Sequence, residues 1–401
     1  MLKFYSAAVR SVNAERGAAE CIDVAFPDGV PSDVRAVLFN ATLGHKLDKV
    51  GNALETLLKG ASHGVPVFGQ SGCAVTGREG VGESMHELGI MAVAGSENEV
   101  ATAAVSEIYG HNSYEKGLEL AKSLKAKNPN VTALYLSAPG IDIDNTKLVK
   151  AFVEQFGEQV EIFGGTSSDN MRGLYSYQFH DGKQTEHDAA AIGFADPTLK
   201  AVTRATHGFS AYGEPLTATK CDGNKVFEFD GKGAWSEFTA RLGKPADSTC
   251  GDTIPVGALA EALPPDLAEE YGNGHILRVV TKHDGETIYL PTTAYEGLKL
   301  WLTTRDEELI FAEQARTLDW FKSKIGTGKP VAVFQTDCLA RGRFLFNRIV
   351  KDELIAMMQD AFQRGGVIPA WLGNYGFGEY TKLGGKNTYH NYSTALMVLY
   401  R

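Results

Sequence analysis

The stretch VRAVLFN (34–40) is a compact apolar run of strand length. The loop ATLGHK (41–46) follows, and then Val50, Leu54, Leu57 and Leu58 recur at spacings of three and four, the mark of an amphipathic helix. A second apolar run, VPVFG, ends at Gly69. The same order returns in VTALYLS (131–137), the loop APGIDIDN (138–145), a helical pattern with Leu148, Phe152 and Phe156, and VEIFGG ending at Gly165. It comes a third time in PVAVFQ (330–335), the loop TDCLARGR (336–343), a helical pattern with Leu354, Met358 and Phe362, and VIPAWLG ending at Gly373. Strands alternating with amphipathic helices predict parallel or mixed sheets covered by helices. The repeat is imprecise, which predicts shared architecture rather than a solenoid.

Between the second and third of these units the pattern changes. SYQFHDGK, KVFEFDGK and HILRVVTKHDGETIYL read as short alternating strands, and Asp-Gly at 181–182, 222–223, 230–231 and 284–285 marks hairpin turns. Residues 244–270 are Pro-rich and read as a long connection. The expected fold is therefore mixed α/β: two lobes of mixed β-sheets flanked by helices, built on repeated strand–helix–strand units. The expected domains are 1–205 and 206–401.

The chain of 401 residues is long enough for two or three domains. A net charge of −10 argues against a nucleic-acid partner, which needs a basic surface. No apolar run approaches the roughly 18 residues of a membrane span, and the first residues lack the apolar core of an export signal. Five cysteines, Cys21, Cys73, Cys221, Cys250 and Cys338, show no paired spacing and read as reduced thiols. The expectation is a cytoplasmic protein. There are 44 glycines where average usage would give about 28, and many stand at strand ends.

Ligands in open α/β sheets gather beyond the carboxyl ends of strands. The loops delivered there carry Asn40, Thr42 and His45; Ser71 and Cys73; Ser137, Asp142 and Asp144; Thr166, Ser167, Ser168 and Asp169. The third unit adds Asp337, Cys338, Arg341 and Arg343, then Asn374, Tyr375 and Glu379. Asp142 and Asp144 are read as caps of the helix that follows. Cys338 stands just after a strand with Arg341 and Arg343 near, which would lower a thiol pKa; the competing reading is a small core residue. The histidines form no HExxH and no pair at i, i+4, and no CxxC occurs, so no zinc site is expected. Haem ligation through one nitrogen leaves no spacing signature. No Walker motif or complete GxGxxG follows a strand.

FGGTSSDN (163–170), HGFSAYGEPLTATKCDGNKVFEFDGK (207–232), VFQTDCLARGR (333–343), GNYGFGEY (373–380) and HNYSTALMVLY (390–400) stand in the order found in FIST proteins. The chain resembles that family over nearly its whole length, with an N-terminal part over 1–205 and a C-terminal part over 206–401. The resemblance implies an intracellular sensory module that binds a small, amino-acid-like ligand in a loop-lined cleft. It further implies a separate signalling partner, a histidine kinase or a cyclic-di-GMP enzyme, and allows oligomers. On these two grounds the ligand-binding candidates are Cys73, Ser168, Asp169, Cys338, Arg341, Asn374, Tyr375, Glu379, His390 and Asn391. Arg341 or backbone amides would clamp a carboxylate, and Glu379 or Asp169 would meet an amine. A haem-binding, nitric-oxide-sensing branch of the family makes His207 and His390 haem-ligand candidates. An enzyme with Cys338 as nucleophile is the remaining alternative.

Overall fold

The computed structural model describes residues 1–59, 64–170, 172–341 and 348–401. Each strand–helix–strand unit forms as its pattern predicts. Residues 34–42 pair in parallel with 67–72 across the helix 47–58. Residues 133–138 pair with 161–166 across the helix 145–156, and 330–338 with 370–376 across the helix 348–362. Parallel strands are buried on both faces, so both alternating sets are apolar. Ala36 and Leu38 enter one cluster, while Val37, Phe39 and Ala41 enter another beneath the helices.

Each unit is larger than its parallel pair. The first has the strand order 3–10, 87–94, 34–42, 67–72; the second 100–105, 189–194, 133–138, 161–166; the third 200–206, 394–400, 330–338, 370–376. A further helix, at 14–25, 113–127 and 307–325 respectively, completes each outer face. Asn13, Asp144 and Asp306 cap helices in the three units, each accepting the amide three residues on. The inner faces of the three sheets share one core. Leu38, Tyr135 and Phe334 stand at equivalent register positions in it, as do Phe68, Phe163 and Leu372.

Each unit also lends a hairpin to a neighbour. The first unit's hairpin, 75–77 with 80–82, joins the third unit's sheet beside 370–376. The second unit's, 178–180 with 183–185, joins the first beside 67–72. The third unit's, 378–383 with 386–390, joins the second beside 161–166. The exchange closes into a ring. At each junction the incoming strand lies opposite a glycine: Phe179 faces Gly69, Tyr380 faces Gly164 and Thr76 faces Gly373. A Cβ on Gly69 would stand 2.1 Å from Phe39, one on Gly164 2.0 Å from the Leu136 carbonyl oxygen, and one on Gly373 2.3 Å from Thr76. In the second unit the equivalent glycine is thus Gly164, one residue before the Gly165 read as its end.

Residues 209–305 interrupt the third unit and build a fourth, antiparallel sheet. Positive φ at both Asp181–Gly182 and Asp230–Gly231 confirms two of the Asp-Gly turns. The Pro-rich stretch read as a connection contains the strand 259–262 and part of the helix 265–271. Among the described residues no helix is long and apolar enough to cross a membrane.

Candidate functional site

The strand ends of the three units meet at a hydrogen-bonded seam. The Ser71 hydroxyl donates to the Ser168 carbonyl at 2.8 Å, and the Ser168 hydroxyl donates to the Tyr375 carbonyl at 2.7 Å. The Cys73 amide closes the circuit by donating to the same Tyr375 carbonyl at 2.9 Å. Three loops read separately from the sequence are therefore one place. Asp169 does not aim into the seam. Its carboxylate accepts the amides of Arg172, Gly173, Leu174 and Tyr175 at 2.8–3.2 Å and organises its own loop.

Beside the seam lies a cluster of buried ionisable groups. The 330–338 strand ends in Asp337 and Cys338, and one 3-10 turn, Leu339–Arg341, brings Arg341 back beneath it. Arg341 is 3% exposed, and its Nη1 donates to the His207 carbonyl at 2.8 Å. Asp337 accepts the Gln335 amide at 2.7 Å. Burial pushes the Asp337 carboxyl above its usual range, while Arg341, Thr394, Gln335 and Tyr375 oppose that rise.

Glu379 is fully buried, and one of its oxygens accepts the Ser393 hydroxyl at 2.6 Å while Oε1 has no partner. Burial raises this carboxyl well above its ordinary value, Ser393 and Arg341 oppose the rise, and Asp337 adds to it. His390, register partner of Glu379, meets the Tyr271 hydroxyl through Nδ1 at 3.2 Å, and its Nε2 has no partner. Burial, helped by Arg278 and His207, pushes its pKa down to about 3. Asn374, opposite Thr336 in the ladder, carries an amide with neither atom partnered, as does Asn40 on the first unit. Asp337 Oδ1 is likewise without a partner, although buried polar atoms are rarely left unpaired.

The remaining candidates are structural in their contacts. Asn391 donates to the Phe377 carbonyl at 2.7 Å. Cys73, Cys338 and Tyr375 share an apolar cluster with Phe377 and Tyr392. The expectation that Arg341 lowers the Cys338 thiol pKa is corrected: burial outweighs the guanidinium and raises the thiol well above its ordinary value. Arg343 lies outside the described residues. His207 has both ring nitrogens engaged, Nδ1 accepting the Phe209 amide and Nε2 meeting the His275 carbonyl, each at 2.9 Å. A ring so committed has no nitrogen to offer a haem iron, whereas His390 keeps Nε2. Asp144 caps its helix as expected, at 3.2 Å from the Lys147 amide, and Asp142 pairs with Lys282 at 2.9 Å.

Ser393 and Tyr271 were not legible as site residues. Ser393 lies inside HNYSTAL, whose order the family resemblance registered, and so had a faint signal. Tyr271 sits at the end of the helix 265–271, beside the stretch read as a connection, and had none.

Residues 36–232 match the model described as the FIST N domain. Among curated proteins no match is found. Solved structures with some likeness include cyanuric acid hydrolase from A. caulinodans, at 8% identity and a TM-score of 0.31 over 52% of this chain and 72% of that one. A further cyanuric acid hydrolase aligns over the whole of both chains at 9% identity and a TM-score of 0.37. T. maritima PurL complexed with AMPPCP aligns over all of this chain and 72% of its own at 12% identity and a TM-score of 0.25. Likenesses at these TM-scores carry no argument.

Proposed function

Residues 36–232 make this chain a member of the FIST family of sensory, ligand-binding domains, and on that premise we propose that it binds a small amino-acid-like molecule where the strand ends of the three units meet. The observation that carries the reading is the set of fully or nearly fully buried, unpartnered polar atoms on Asp337, Asn374, Glu379 and His390, two of which, Asp337 and Glu379, feel the Arg341 guanidinium. Arg341 supplies a fork for a carboxylate, and Glu379 Oε1 and the Asn374 amide supply acceptors for an amine. Binding there ties three units together at once, which suits a module that passes a bound state to a separate partner. A histidine kinase or a cyclic-di-GMP enzyme is the class of partner the family suggests, with the cytoplasm as the compartment and residues 206–401 as the C-terminal FIST part.

The test is a thermal-shift screen of L-amino acids with native mass spectrometry of freshly purified protein. The conservative variants Glu379→Gln and Arg341→Lys are to lose the shift given by the active amino acid. Shifts unchanged in both variants overturn the site. A second reading, haem as the bound group, rests on the unpartnered Nε2 of His390 alone. It requires a Soret band after incubation with haemin that is lost in His390→Gln.

A further inference from the structure

A cleft of about 280 Å³ opens on the other side of Tyr271. It lies between the strand 200–206, the helix 307–325, the helix 265–271 and the hairpin 378–390; Arg204, Trp320, Lys324 and Lys382 line it, as do the acids Glu161 and Glu270.

Arg204 is the unusual member. It is 7% exposed, its guanidinium lies 4.8 Å from the centre of the Trp320 ring, and Nη2 donates to the Glu270 carbonyl. Its Nε has no partner, and among the described residues no carboxylate lies within ion-pair distance of it. A buried cation without an anion is costly, because desolvation is not repaid by a counter-charge. Lys324 is exposed to solvent; its ammonium lies 5.6 Å from the centre of the same Trp320 ring and, among the described residues, meets no carboxylate. Lys382 differs, for Glu161 holds it at 2.7 Å. Glu270 accepts the Gly384 amide at 3.1 Å, and its charge acts on Arg204 without forming an ion pair. Burial and the neighbouring Arg316 lower the Arg204 pKa, and Glu270 and Tyr271 oppose them.

A buried guanidinium without an ion pair and a solvent-exposed ammonium, both over the Trp320 ring in a cleft of amino-acid size, suit an anion. We propose that this cleft is a binding site for a small organic or inorganic anion, a carboxylate or a phosphate, gripped by Arg204 and Lys324, with any apolar remainder against Val202 and Leu383. The site stands on its own observations and does not depend on the cluster around Arg341. Its floor, Tyr271, also touches His390, so an anion here would press on a group of that cluster.

The experiment titrates the full chain with inorganic phosphate in one arm and succinate in the other, at constant ionic strength with potassium chloride as control. Tryptophan fluorescence and the melting temperature are the readouts. At least one anion is to give a saturable change in emission and a rise in melting temperature, and the arm that responds identifies the headgroup. Lys324→Gln, a change at a solvent-accessible position, is to weaken the apparent Kd at least about tenfold. Arg204→Gln is to lose the saturable signal, and Arg204→Lys is to retain part of the binding. No saturable response above the chloride control in either arm, or the same Kd in Lys324→Gln as in wild type, overturns the proposal.

Discussion

The hydroxyl of Tyr271 lies 3.2 Å from Nδ1 of His390, joining the floor of the anion cleft to the hairpin that carries Glu379. Burial holds the phenol in its protonated form and the imidazole in its neutral form, so the two share one hydrogen bond between uncharged groups. Tyr271→Phe keeps the ring packing and removes this bond. The expected loss is about 1 kcal/mol, read as a lower urea midpoint at unchanged m-value. An unchanged midpoint would show that the pair is not bonded in solution.

The buried acids and bases predict opposite pH dependences. Glu379 and Asp337 have raised pKa values, so the folded state holds their protons longer; their contribution to stability is lost as pH rises through the folded values. His390 and His207, lowered from 6.5 to about 3 and about 4, bind fewer protons folded than unfolded. Their contribution is full above the unfolded value and is lost as pH falls towards the folded ones. Glu379→Gln removes an acid effect and leaves the histidines. Its stability relative to wild type is therefore expected to climb from about pH 5 to about pH 8 in urea denaturation. A difference that does not vary with pH would mean the carboxyl ionises as freely as in water.

Thiol reactivity should follow exposure. Cys338 is buried with its pKa raised well above normal, whereas Cys221 is only partly buried. Iodoacetamide at neutral pH is expected to reach Cys221 first and Cys338 only on unfolding, by peptide mass mapping. Faster labelling at Cys338 than at Cys221 would revive a nucleophilic role.

Gly164 combines φ +137° with a Cβ position 2.0 Å from a backbone carbonyl oxygen. Gly164→Ala should cost on the order of 3 kcal/mol or more, because neither the ladder nor the docked strand at Tyr380 can retreat. Gly29→Ala is the control: φ is +93° but nothing lies within 4 Å, so the expected cost is about 1 kcal/mol. Equal melting temperatures for the two variants would contradict the packing at the junction.

The parallel pairs were legible because burial on both faces writes long apolar runs such as VRAVLFN and PVAVFQ, and period-3.6 patterns between them mark the covering helices. The hairpin exchange was not legible. Strands of three residues, such as Val75–Gly77 and Gln178–His180, carry no sign of whose sheet they join. The glycine equivalence was off by one in the second unit because VEIFGG offers two adjacent glycines, and only the ladder register chooses between them. At the site, the loops of Ser71, Ser168 and Tyr375 announced themselves by composition. Arg204 and Tyr271 could not, since a single charge or phenol in a strand or short helix looks like any solvated one until its surroundings prove to lack a partner.

The ring of lent hairpins also orders events during synthesis. The first unit's sheet waits for residues 178–185 from the second, and the second unit's waits for 378–390 from the third. The third unit's last strand is 394–400. A ribosome could therefore complete the first sheet once residues 178–185 had emerged, but would leave the edge at 161–166 unpaired until residues 378–390 were out. Exposed strand edges of that kind recruit other chains. The interval of greatest aggregation risk is thus the translation of the inserted sheet and the third unit, and slowing elongation there should lower the soluble yield.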